Sequence, residues 1–364
     1  MAWLGGLLEP WFAGASAAAS AAEPERPSPD GLLFEPSVFV DAAQDAARCA
    51  SRVSISHVGV GVSAMQGRRP TMEDAHVAIT DLHERADLCA VASAVKPGAA
   101  EMLQGCVLAA IFDGHGSDKT ACFCAQRLPL VLMLNPLYHE GDIEGALRET
   151  IRRLDEEALT MAGEHGWRCG ATVCVVHINT KERKIVQANA GDSEAFVAQA
   201  NGHIQRLSVR HTPEAESARI LAAGGTVHGG RVQGTLAVAR ALGDAAFKAP
   251  IVTAIEGIHG SLITAEPFVY TYEYDDAALM VVLACDGMYE RIAHCQVAAH
   301  CCTGLSKSRA ISNPEDAAQT AEDIAQMAVD LAYESHSLDN ISCVVVLLPR
   351  SASPEPEDSV PSSP

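Results

Sequence analysis

The residues with chemistry to offer are acids placed at the ends of apolar runs. Asp113 closes the run from Val107 to Phe112 and is followed by Gly114, His115 and Gly116. Asp286 closes a second run, Asp192 follows a third, and Asp339 stands just before a fourth. Glu73 and Asp74 lie at the mouth of a short run ending at Ile79. A carboxylate at the end of a buried strand is costly unless something pairs with it. A single Asp beside Gly or Ser has an ordinary turn explanation. Four or five of them at strand ends point instead to a shared ligand. Oxygen-only donors suit Mg²⁺ or Mn²⁺, and two such ions about 4 Å apart can activate a water against a phosphate ester. From residue types alone, the chain reads as a metal-dependent hydrolase of phosphoesters.

The elements that must carry these acids follow from hydrophobic patterning. Strands are expected from Val53, through Val58 to Ser63, at 77–79, 107–112, 171–178, 184–188, 194–198, 278–283 and 341–348, with a hairpin turn at Asn201-Gly202. Helices are expected over 118–133, with a break at Pro129, over 142–163, 213–223 and 314–334. Asn313-Pro314-Glu315-Asp316 has the composition of a helix start. Residues 84–105 read as an inserted helix-loop segment without visible chemistry.

Composition bounds the partners. Of 364 residues, 46 are acidic and 26 basic, a net charge of −20. That balance argues against a nucleic-acid surface, which needs clustered Lys and Arg. Twelve cysteines could suggest a disulfide scaffold. Yet Cys174, Cys285 and Cys343 sit within apolar runs, Cys122 and Cys124 on an expected helix, and no spacing fits a zinc site. A reduced, intracellular protein of cytoplasm or nucleus is expected. No apolar run reaches the length of a transmembrane helix. The N-terminal Trp3 to Leu8 segment lacks a basic start and is interrupted by Glu9-Pro10, so a flexible or surface-docking extension is expected rather than a signal peptide. Peripheral membrane docking is left open. The expected division is an extension over 1–50, a catalytic domain over 51–349 and a Pro/Ser/Glu-rich disordered tail over 350–364.

A set of motifs in order then resembles a known family. They are Arg69-Pro-Thr-Met-Glu73-Asp74, Phe112-Asp113-Gly114-His115-Gly116, Gly170-Ala-Thr172, Asn189-Ala-Gly191-Asp192-Ser193, Gly234 through Asp244, Ala284-Cys-Asp286-Gly287 and Asp339-Asn340-Ile341-Ser342. Together, over about residues 53–348, they resemble the metal-dependent serine/threonine protein phosphatases of type 2C, the PPM family. The resemblance implies an α+β fold, a four-layer α-β-β-α sandwich of two antiparallel sheets flanked by helices. It implies phosphorylated proteins as substrates, two Mg or Mn ions with a weaker third, and a monomer. Residue by residue, Asp113 resembles the acid bridging both ions, and Asp286 and Asp339 ligands of the first. Glu73 and the Gly114 carbonyl resemble the surroundings of the second, with Asp74 acting through water. Asp192 resembles the holder of the third. Arg69 would bind the phosphate, and His115 would protonate the leaving alkoxide.

The chain departs from the family in places. Glu194 follows Gly191-Asp192-Ser193 where Arg is usual. Val209-Arg210-His211-Thr212-Pro213 stands where Asp-His-Lys-Pro is usual, before Pro213. Ala239 replaces a common Ser, and Tyr289-Glu290 a common Trp-Asp. Arg240 and Asp244 are expected to be structural, Thr172 to pack or brace, and Cys285 to be a small core residue. Two alternatives are weighed. A pseudophosphatase scaffold rests on Glu194 alone, since Glu73, Asp113, Asp286 and Asp339 are all present. A nuclease is disfavoured by the acidic balance.

Overall fold

The computed structural model describes residues 37–308 and 310–350. The expected tail beyond Arg350 and most of the expected extension lie outside the described residues. Helix α1 (Ser37–Ala50) falls within the stretch expected to be a flexible extension. Its Ala47 and Ala50 are buried in the core, so the folded part starts before the expected boundary at residue 51.

Two five-stranded antiparallel sheets form the centre. We label β1 (Gly59–Met65), β2 (Ala75–Ile79), β3 (Cys106–Phe112), β4 (Val173–Asn179), β5 (Lys184–Ala190), β6 (Glu194–Gln199), β7 (Ile204–Arg206), β8 (Phe268–Glu273), β9 (Ala278–Ala284) and β10 (Ile341–Leu347). One sheet has the order β8-β5-β4-β3-β2, the other β7-β6-β9-β10-β1. Within both, every neighbouring pair is antiparallel. Strand β3 shows why this arrangement needs so apolar a sequence. Val107, Ala109 and Ile111 join the core between the sheets, while Leu108, Ala110 and Phe112 join the core under the outer helices. Successive side chains point to opposite faces, so a strand covered on both sides must be apolar throughout.

Helices α2 (Ala86–Val95), α3 (Lys119–Leu134) and α4 (Ile143–His165) cover the first sheet. Helices α1, α5 (His294–Ser306) and α6 (Pro314–Glu334) cover the second. The expected four-layer sandwich is the observed one. Residues 84–105 supply Leu88, Ala92, Ala99 and Leu103 to the outer core, so this insertion is packed structure. Helix α6 starts as the sequence predicts: Asn313 accepts from the Asp316 N–H, Pro314 opens the helix, and acids fill its first turn. It lies close on β1 because Gly59 and Gly61 leave room. A Cβ at either would fall within 2.2 Å of the α6 backbone.

Residues 213–265 hold a satellite apolar cluster including Ile220, Val232, Val252 and Leu262. This flap carries the short antiparallel pair Val227–His228 and Arg231–Val232. The helix expected over 213–223 is shorter, Ser217–Ala222. Residues 213–216 turn instead, with the Ala215 N–H given to the Thr212 hydroxyl. The described residues contain no disulfide.

Candidate active site

The antiparallel order brings the acid-bearing ends of β3, β5, β9, β10 and β2 to one edge of the sandwich. There an open cleft of about 250 Å³ is lined by Arg69, Glu73, Asp113, Gly114, His115, Asp192, Asp286, Asp339, Thr172 and flap residues including Arg231. Carboxylate oxygens of Asp113, Asp192 and Asp286 lie within 4.8 Å of one another. Asp74, Asp113 and the Cys285 thiol form a second group of the same tightness. Glu73 and Asp339 stand outside both groups. Asp339 instead accepts from Arg69 Nη2 at 2.6 Å, and Glu73 accepts from the Thr71 hydroxyl at 3.0 Å.

Backbone and hydroxyl contacts fix these positions. Asn340 ties three segments together: its Oδ1 accepts from the Glu73 N–H, and its Nδ2 donates to the carbonyls of Gln66 and Thr71. The Ser342 hydroxyl donates to Asp74 at 2.6 Å. Thr172 braces Asp113: its N–H donates to the Asp113 carbonyl, its hydroxyl takes the Asp113 N–H, and that hydroxyl also meets Ser193 at 2.7 Å. Thr172 thus has the bracing role expected of it. Cys285 is buried as expected; its thiol accepts the Ser342 N–H beside Asp74.

The acids crowd one another, and the crowding shows in their carboxyl pKa values. Burial, then the charges of Asp286, Asp74, Asp192 and Asp339, push the Asp113 carboxyl well above the usual range. Burial, then Asp286, lifts Asp192 to about 7. Burial raises Asp74 to about 6, against the lowering effect of the Ser342 hydrogen bond. One Asp74 oxygen is buried without a hydrogen-bond partner. Hard oxygen donors, mutual repulsion and an orphaned carboxylate oxygen together fit a divalent cation of the Mg²⁺ or Mn²⁺ kind.

His115 has a partner that the sequence reading classed as structural. Its Nε2 lies 2.8 Å from both carboxylate oxygens of Asp244. Burial alone would lower the imidazole pKa; the Asp244 hydrogen bond and charge outweigh it and raise the value. Asp244 is held in a left-handed conformation, φ 53°, and its N–H donates to the Cys169 carbonyl. Just before it, the Gly243 N–H binds Asp155, which also takes Lys248 at 2.6 Å. The available signal was the Leu242-Gly243-Asp244 turn, a buried acid among tight-turn residues. Arg240, by contrast, pairs with Glu216 and the Glu266 carbonyl, away from the acids, as a structural residue would.

Comparison with known proteins places this geometry. The family model described as Protein phosphatase 2C matches residues 58–341. "Protein phosphatase 2C homolog 3" of Schizosaccharomyces pombe is 39% identical over 232 residues, covering 63% of this chain and 51% of that protein. This chain therefore spans about half the length of that relative. "Probable protein phosphatase 2C 21" of Arabidopsis thaliana is 31% identical over 281 residues, covering 63% of this chain and 71% of that protein. A Toxoplasma gondii phosphatase structure superposes with a TM-score of 0.62 at 23% identity, over 81% of this chain and 94% of that one, and so shares the fold. With the family's sequence pattern covering most of its length and its acids gathered in one cleft, this chain belongs to the protein phosphatase 2C family.

Proposed function

We propose that this chain is a protein-serine/threonine phosphatase that hydrolyses phosphoserine and phosphothreonine side chains in a metal-dependent reaction. The observation that carries the proposal is the gathering of Asp113, Asp192 and Asp286 within 4.8 Å, in a cleft that also holds Arg69 and His115. Asp113, Asp286 and Asp339, with Glu73, the Gly114 carbonyl and Asp74 alongside, would hold two divalent cations, and Asp192 a weaker third. When bound, such ions supply Lewis-acid polarisation of the phosphoryl group and activation of the attacking water.

The chain's own groups do the rest. Arg69 is more than half exposed at its side chain and reaches Asp339 across the cleft mouth. Its planar fork can turn to grip a phosphate dianion. His115 donates a proton to the departing Ser or Thr oxygen, with Asp244 fixing the ring and favouring its protonated form. The flap and its Arg231 bound the other side of the cleft.

The scaffold alternative loses its support at Glu194. This carboxylate is buried against Arg206 and His294 and is not part of either acid group. A direct test offers a phosphothreonine peptide and single-stranded DNA to the protein with Mn²⁺. Phosphate release from the peptide alone is expected. Cleavage of the DNA, or turnover of neither, would contradict the proposal. Among the described residues no helix is long and apolar enough to cross a membrane.

A further inference from the structure

We infer that Glu194 is a positioning residue for the acidic cleft, a buried anion that locks together the turn carrying Asp192, the entry to the flap and the helix turn carrying Asp286. The inference rests on the reading that the cleft holds divalent cations.

Glu194 is 1% exposed, at the first position of β6 and two residues after Asp192. Two arginines and a histidine converge on it. Arg206, the last residue of β7, makes a close ion pair with its Oε2. Arg210 lies 3.7 Å from its Oε1. His294, the first residue of α5, brings Nε2 within 3.2 Å of Oε2.

Each of the three side chains leads to a segment of the cleft. Arg210 immediately precedes His211, whose backbone N–H donates to the Gly191 carbonyl and whose ring Nδ1 accepts the Gly191 N–H. The flap entry is thereby fastened to the turn that ends in Asp192. His294 stacks on Tyr289 with ring centroids 4.1 Å apart. Tyr289 closes the single helical turn Asp286–Tyr289 that begins with a candidate metal ligand. Arg206 fixes the strand that enters the flap segment.

Two of the departures from the family pattern face each other here. Glu194 stands where Arg is usual and Arg210 where Asp is usual, and the pair keeps its attraction with the charges reversed. The arginine partners thus offset part of a charge that still bears on Asp192. A carboxylate this deep needs its partners; removing one leaves an uncompensated buried charge. Side chains that hold metal ligands in place, without touching the metal, set metal affinity strongly.

The test uses the full chain with Glu194→Gln, Arg206→Gln and the double variant. Glutamine keeps the size of Glu194, and Arg206 is partly exposed, so at least one single variant retains the fold. Mn²⁺ affinity is read by calorimetry and by the Mn²⁺-induced rise in Tm, alongside the Mn²⁺ dependence of phosphopeptide turnover. Each single change is expected to weaken Mn²⁺ binding about tenfold, and the double change to weaken it no further than the worse single. Both single variants lowering the metal-free Tm with unchanged Mn²⁺ affinity would reduce Glu194 to a purely structural residue and overturn the inference. Independent, additive losses in the double variant would also overturn it. If the unmodified protein binds no Mn²⁺, the metal reading of the cleft fails, and this inference with it.

Discussion

The Asp244 carboxylate holds the His115 ring by both of its oxygens, at 2.8 Å each. Because Nε2 is engaged there, Nδ1 is the ring atom left to serve a substrate. Asp244→Asn should therefore lower kcat on a phosphothreonine peptide by about tenfold or more. The loss should be much smaller on p-nitrophenyl phosphate, whose leaving group needs no proton. Comparing the two substrates in one variant checks this. Equal losses on both would place Asp244 in metal or phosphate binding instead.

The same pair can be disturbed without changing either member. Gly170 sits beside it, and a Cβ there would lie 2.4 Å from Asp244 Cγ and 2.5 Å from His115 Nε2. Gly170→Ala must push the two apart. Phosphopeptide kcat should fall by about tenfold or more, with Mn²⁺ affinity close to that of the unmodified protein. Calorimetry on the variant separates these quantities.

The sandwich was legible because its strands are apolar on both faces. The Val107 to Phe112 and Ala278 to Ala284 runs have no reading as amphipathic surface, and the acids at their ends fell where turn residues placed them. What escaped was set by contacts remote in sequence. Helix α5, at His294–Ser306, has a blurred apolar stripe and an alanine at its N-cap, where only the Gln296 side chain, accepting the Ala293 N–H, closes the start, so little in the sequence announced it. Helix α1 follows an Ala- and Ser-rich segment that masks its start. Strand β8 is an edge strand with a largely half-buried, tyrosine-containing sequence, and pairing with β5 defines it. Asp244 could be seen as a turn acid, but its place against His115 spans a sequence separation of 129 residues. Likewise Glu194 read as an isolated charge reversal until Arg206, Arg210 and His294 were found around it.

Crowded acids should cost the protein stability when no metal is present. Asp113 is pressed by burial and by four neighbouring carboxylates. Asp113→Asn removes one ionisable carboxyl from that group with little change of shape. In EDTA the variant should unfold a few degrees higher than the unmodified protein, for a gain of about 1 kcal/mol. Its Mn²⁺-induced rise in Tm should vanish. Thermal unfolding with EDTA and with excess Mn²⁺ measures both. A lower Tm in EDTA would contradict the electrostatic account.

His177 gives a stability change far from the cleft. It is buried in β4, meets the Tyr138 hydroxyl at 3.0 Å, and burial pushes its pKa down to about 4 from the usual 6.5. The folded protein therefore binds this proton less readily than the unfolded chain does. The stability it permits is present above about pH 6.5 and is lost as pH falls toward 4, by about 3 kcal/mol at most. His177→Gln should flatten that part of the stability–pH curve relative to the unmodified protein. Urea unfolding at pH 7, 5.5 and 4.5 for both proteins checks the sign. Parallel curves would show that His177 is not the group responsible.

The most direct measurement is release of inorganic phosphate from a phosphothreonine peptide, with Mn²⁺ or Mg²⁺, with EDTA, and for Asp286→Asn. Turnover that requires the metal, stops in EDTA and collapses in Asp286→Asn is the expected result. Turnover that survives both EDTA and the substitution would contradict the assignment of the acidic cleft as the catalytic centre.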